Sequence, residues 1–86
     1  MHEMSIALEV ARLVTERVGP AQAPQVVRVG VEVGDDAGVE YSSLAFCLEA
    51  VLATPPFRDA RPVIERRPGD VLRLAYLEVD DGRPDD

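Results

Sequence analysis

The chain has 86 residues, enough for one small domain with a modest core. Nine basic side chains stand against sixteen acidic ones, a net charge of −7, which excludes recognition of nucleic acid through its phosphates. The single cysteine, Cys47, permits neither an internal disulfide nor a CxxC pair for zinc, as expected of a cytoplasmic protein.

The first three residues, Met1-His2-Glu3, hold the only histidine. A terminal amine, the His2 backbone nitrogen and the His2 imidazole can close fused chelate rings on one metal ion. The Glu3 amide nitrogen or the Glu3 carboxylate can complete a set of four. Such a flat, nitrogen-rich donor set suits Ni(II) or Cu(II) better than zinc. Taken alone, His2 is equally compatible with a solvated side chain.

Residues 4–18 are predicted to be helical. Ala7, Val10, Ala11, Val14 and Val18 recur at the spacing of one helical stripe, flanked by Ile6 and Leu13 on one side and Met4 and Leu8 on the other. Glu9 and Arg12 interrupt the apolar run, so it is neither a signal peptide nor a membrane span. Gly19-Pro20 ends the helix. The clearest strand follows at residues 25–33, where Val27, Val29, Val31 and Val33 are expected on one face and Arg28, Gly30 and Glu32 on the other. Residues 34–38 form a Gly- and Asp-rich turn. A second helix is expected over residues 39–53, with Tyr41, Leu44, Ala45, Leu48, Val51 and Leu52 as its apolar stripe and Thr54-Pro55-Pro56 as its stop. Cys47 within it reads as a packing residue, since no second histidine is present to activate it.

Residues 60–66 are predicted as a short strand, and Pro62, lacking an N–H, makes it an edge. Pro68-Gly69-Asp70 is a tight turn in which Gly69 takes a positive φ. Residues 71–80 form a third strand, apolar on both faces, and a bulge near Ala75 would let it switch faces. The order is α-β-α-β-β, an α+β fold of residues 1–80 with a three-stranded mixed sheet and both helices on one face. With the second strand at an edge and the third returning as a hairpin, the third is expected between the other two. Asp80, Asp81, Asp85 and Asp86 mark residues 81–86 as an acidic, disordered tail.

Several stretches, running in order through nearly the whole chain, resemble the HypA/HybF family of hydrogenase nickel-incorporation proteins. They are Met1-His2-Glu3-Met4-Ser5 opening a helix, Val31-Glu32-Val33-Gly34 ending a strand, Gly38-Val39-Glu40 before the second helix, Leu44-Ala45-Phe46 within it, Ile64-Glu65, and Leu72-Arg73-Leu74 with Leu77-Glu78-Val79. The resemblance implies a nickel metallochaperone whose Ni(II) is held at Met1, His2 and Glu3, with Glu40 as a further ligand or helper. It also implies a nickel-handling GTPase and a [NiFe]-hydrogenase large subunit as partners, with urease served by some relatives; homodimerisation is left open, and no membrane is involved. Family members carry a zinc domain with two CxxC pairs between the second and third strands. Here Arg67-Pro68-Gly69-Asp70 spans that point, so no zinc is expected.

A second reading keeps the scaffold as a non-metal interaction module that docks on the GTPase or the large subunit, with His2 and Glu3 as contact residues. An enzyme is not expected, because no Ser/His/Asp set, phosphate-binding loop or convergent pair of acids is present at identifiable spacing.

Overall fold

The structure, a computed structural model, describes residues 2–80. Met1 and the tail expected at residues 81–86 lie outside the described residues. The elements are α1 (Glu3–Val18), a short 3-10 turn (Ala23–Gln25), β1 (Val26–Gly34), α2 (Tyr41–Leu52), β2 (Arg61–Arg67) and β3 (Leu72–Val79). The α-β-α-β-β order and the mixed three-stranded sheet agree with the sequence reading. Among the described residues no helix is long and apolar enough to cross a membrane.

The helices bury the stripes their periodicity marks. Ile6, Ala7, Val10 and Val14 of α1 and Leu44, Leu48 and Leu52 of α2 pack on Val26, Val29, Val31 and Val33 of β1. Cys47 is half-buried against this cluster, as a packing residue should be. Phe57, read from sequence only as loop, is 4 % exposed and plugs the core from the segment between α2 and β2. Val29 is fully buried at the centre of the sheet. Val29→Ala is expected to cost on the order of 1–3 kcal/mol, the loss of two buried methyl groups plus the cavity they leave. Urea unfolding of the two proteins checks this; an unchanged midpoint would mean the valine face is not what holds the sheet to the helices.

The sheet order is β2-β1-β3, with β1 parallel to β2 and antiparallel to β3. Pro62 does lie on an edge strand, but the third strand is not central: β1 is. The link after β2 is not a hairpin turn between neighbours. It passes across the end of β1, where Gly34 N–H donates to the Val71 carbonyl at 2.6 Å, Asp35 N–H to Arg67 at 2.8 Å and Asp36 N–H to Gly69 at 2.7 Å. Two strand spacings are roughly 10 Å, and the four residues 68–71 reach about 13 Å when extended, so a short link can straddle one strand. Gly69 has φ 86° within this link, the left-handed conformation expected of it.

Register shifts mark two bulges. On β3, Tyr76 pairs with Gly30 and Leu74 with Val31, which leaves Ala75 extra, where the sequence suggested a bulge. On β1, Val26 pairs with Val79 and Arg28 with Glu78, leaving Val27 extra. This second bulge corrects the valine pattern: Val27 is 41 % exposed, and Val26, 1 % exposed, takes its place in the core.

The sheet face away from the helices is polar. Glu32, only 9 % exposed, accepts from Arg67 Nε at 2.9 Å and from Arg73 Nε on the opposite neighbour. Arg73 first, with Arg67, holds the Glu32 carboxyl below its ordinary range. A depressed carboxyl contributes stability that is present above its unfolded value and lost as pH falls through its folded one. Glu32→Gln is therefore expected to flatten the loss of stability on acidification below about pH 4.3, measured as urea midpoint against pH. An acid limb of unchanged steepness would remove Glu32 from the account.

Candidate functional site

Two helix starts meet at one end of the molecule. His2 is the N-cap of α1, with extended backbone (φ −85°, ψ 126°), and its exposed imidazole makes no capping hydrogen bond. The first helical bond is Ile6 N–H to the His2 carbonyl at 3.2 Å. The amides of residues 2–5 therefore have no carbonyl one turn back to bond, as at any helix start. A metal can take a proton's place on such a nitrogen without breaking the helix ladder. The positive end of the helix dipole also favours the anionic nitrogen this produces.

Glu3, the first residue of α1, turns its carboxylate to the other helix start, where Oε2 accepts the Glu40 N–H at 3.2 Å. That bond is the main cause holding the Glu3 carboxyl below its usual range. Glu40 is the N-cap of α2. Its carboxylate accepts from Ser42 N–H at 3.1 Å and Ser43 N–H at 2.9 Å, and from the hydroxyls of the same two serines at 2.7 and 2.5 Å. These four bonds, led by the Ser43 hydroxyl, lower the Glu40 carboxyl to about 2. The structure thus brings Glu3 and Glu40 together and sets His2 one residue away along α1. It uses the Glu40 side chain to start a helix and the Glu40 amide to fix Glu3.

The sequence reading did not find Ser42 and Ser43 as partners of Glu40. The available signal was a glutamate with two serines two and three residues on, at the start of an apolar stripe. It also missed the tether behind this corner, where the Tyr41 hydroxyl donates to Asp35 at 2.7 Å and the Arg66 guanidinium lies 4.3 Å over the Tyr41 ring. Together these hold the turn before α2 to the end of β2. Among the described residues there is no group of three or more His, Cys, Asp and Glu side chains poised around one point. Any metal site here has to draw on backbone nitrogen.

A small α+β domain whose exposed histidine opens one helix beside the acid-capped start of another belongs, by architecture, among the metal-handling accessory domains. Residues 1–72 match the family model described as hydrogenase/urease nickel incorporation, metallochaperone, hypA, and the chain belongs to that family. It is 42 % identical over 65 residues to the hydrogenase maturation factor HypA of Chlorobaculum parvum, covering 76 % of this chain and 58 % of that protein. It is 41 % identical over 69 residues to the factor of the same name from Azotobacter chroococcum, covering 80 % of this chain and 61 % of that one. With the Albidiferax ferrireducens HypA it shares 33 % identity over 79 residues, covering 92 % and 70 %. The chain therefore spans about 60 % of the length of the first two relatives.

Proposed function

We propose that this chain is a nickel metallochaperone of hydrogenase maturation. It holds one Ni(II) at Met1, His2 and Glu3 and passes it on toward a [NiFe]-hydrogenase large subunit, working with a nickel-handling GTPase in the cytoplasm. The observation that carries the reading is His2 at the α1 N-cap, exposed and without a capping bond, in a chain of the nickel-incorporation family. The donors are the Met1 amine, the backbone nitrogen and imidazole of His2, and the Glu3 backbone nitrogen. The Glu3 carboxylate is the poorer candidate for the fourth place, because it already holds the Glu40 amide. Glu40 acts through that amide, setting the direction of Glu3, so Glu40→Ala weakens binding less than a change at His2. Ligand protons must leave as nickel enters, so binding weakens as pH falls and acidification or a competing partner ligand unloads the ion.

The residues present do not fit a structural zinc, which takes four cysteine or histidine ligands; this chain has one of each. No role is assigned to zinc in this chain's handling of nickel.

Calorimetric nickel titration of protein starting at Met1, beside the same protein carrying an N-terminal extension, tests the assignment. One ion bound by the first and weak binding by the second is the expected result. Equal binding by both would remove the terminal amine from the site. No binding by either would leave the alternative of a docking module for the GTPase or the large subunit, with His2 and Glu3 as contacts.

A further inference from the structure

Strand β3 closes the sheet on the side away from β2, and among the described residues no strand lies beyond it. An unpaired edge of eight residues is a template for pairing unless charge or shape prevents it. Beside this edge a groove of about 310 Å³ separates α1 from β3, walled by Ile6, Val10, Leu13, Leu72 and Leu74.

The order of residues along β3 is self-complementary. In a regular strand Arg73 and Glu78, five apart, would point to opposite faces. The bulge at Ala75 cancels that mismatch: Arg73 lies opposite Glu32 and Glu78 opposite Arg28, both on the face away from the helices. By the same shift Leu74 and Leu77 both stand on the helix face, opposite Val31 and Val29, and Leu72 and Val79 lie there too, opposite Val33 and Val26. Read from either end, the strand is apolar, charged, apolar, with the opposite charge at the other end.

We infer that the free edge of β3 pairs antiparallel with β3 of a second copy of this chain, giving a continuous six-stranded sheet about a two-fold axis through the bulge. In that register Arg73 of each copy faces Glu78 of the other, Leu74 faces Leu77, and Leu72 faces Val79. The charges then alternate without a break across the seam. Arg28 and Glu78, 3.1 Å apart within one copy, continue into Arg73 and Glu32 of the other. The leucines of the two copies meet where the grooves beside α1 open. A different partner strand has no reason to match this palindrome of polarity and charge.

Charge reversal tests both the partner and the register. Arg73→Glu alone, or Glu78→Arg alone, sets like charges opposite each other twice per dimer; mixed together, the two variants restore opposite charges at both positions. Sedimentation equilibrium of the wild type is expected to show a monomer–dimer equilibrium, each single variant weakened by about tenfold or more, and the equimolar mixture recovered. Because each variant loses the same intrachain pair alone or mixed, recovery on mixing reports the seam and not the folding of the monomer. Should a variant fail to fold, the wild type still decides. Hydrogen exchange of the β3 amides is expected to slow as protein concentration rises. A wild type monomeric at every concentration, variants that associate as it does, a mixture no tighter than its components, or β3 exchange independent of concentration would each overturn the inference.

Discussion

Nickel binding is expected to disappear when His2 is replaced by alanine in protein that begins at Met1. The imidazole is the one side-chain nitrogen near the terminus, and the sequence contains no other histidine to stand in for it. Without it the remaining nitrogens are an amine and amides that must each lose a proton to bind, and nothing anchors the ion while they do so. Changes to residues that merely orient ligands cost about 10–100-fold in affinity, so the loss of a ligand itself should exceed that range. The fold gives no reason for a confounding loss of structure. His2 is exposed and makes no capping bond, so circular dichroism and thermal unfolding of His2→Ala should match the parent. A retained nickel isotherm in this variant would sink the assignment at its centre. Glu40→Ala is expected to show the opposite balance, a milder effect on nickel and a weakened start of α2, because its carboxylate accepts four hydrogen bonds there.

Gly34→Ala is expected to be the most damaging single methyl in the protein. A Cβ at this position would fall 2.6 Å from the Gly69 carbonyl carbon and 2.7 Å from the Val71 nitrogen, both backbone atoms that cannot turn aside as a side chain can. The link from β2 to β3 crosses the end of β1 at this point, held by the three bonds from residues 34, 35 and 36. Relieving the clash means lifting the link and breaking those bonds. A cost on the order of 3–5 kcal/mol follows from overpacking against rigid backbone. A domain of this size has about 4–13 kcal/mol in total, so the variant should unfold at much lower urea or not accumulate folded. A urea midpoint near the parent's would show that the link has room to move and that its crossing of β1 is loosely built.

Much of the fold was legible because it rests on local pattern. The stripe of Ala7, Val10 and Val14 and that of Leu44, Leu48 and Leu52 repeat with the helical period, and those residues are buried. Gly69 announced its positive φ by standing in a Pro-Gly-Asp turn, and the two-sided apolar pattern of residues 71–80 announced the bulge at Ala75. The position of Met1, His2 and Glu3 ahead of a helix was equally local. Glu40 was found through its place before α2, but its partners Ser42 and Ser43 were not, because a glutamate N-cap is less readily recognised than serine, threonine or aspartate in that place.

What local pattern could not decide was which strand is central. From sequence, a four-residue link between two strands reads as a hairpin, and Pro62 at an edge then pushes the third strand to the middle. The folded chain puts β1 there instead, because its valines are the most completely buried residues of the sheet and only a central strand is covered on both sides. The exposure of Val27, the burial of Phe57 and the enclosure of Glu32 between Arg67 and Arg73 are consequences of that arrangement. So is the meeting of Glu3 with the Glu40 amide, a contact between residues 37 positions apart. Periodicity and turn chemistry act over a few residues, and the sequence carries them openly. Strand order, register and the joining of two helix starts depend on which surfaces exclude water together, and that is settled only when the whole chain has packed.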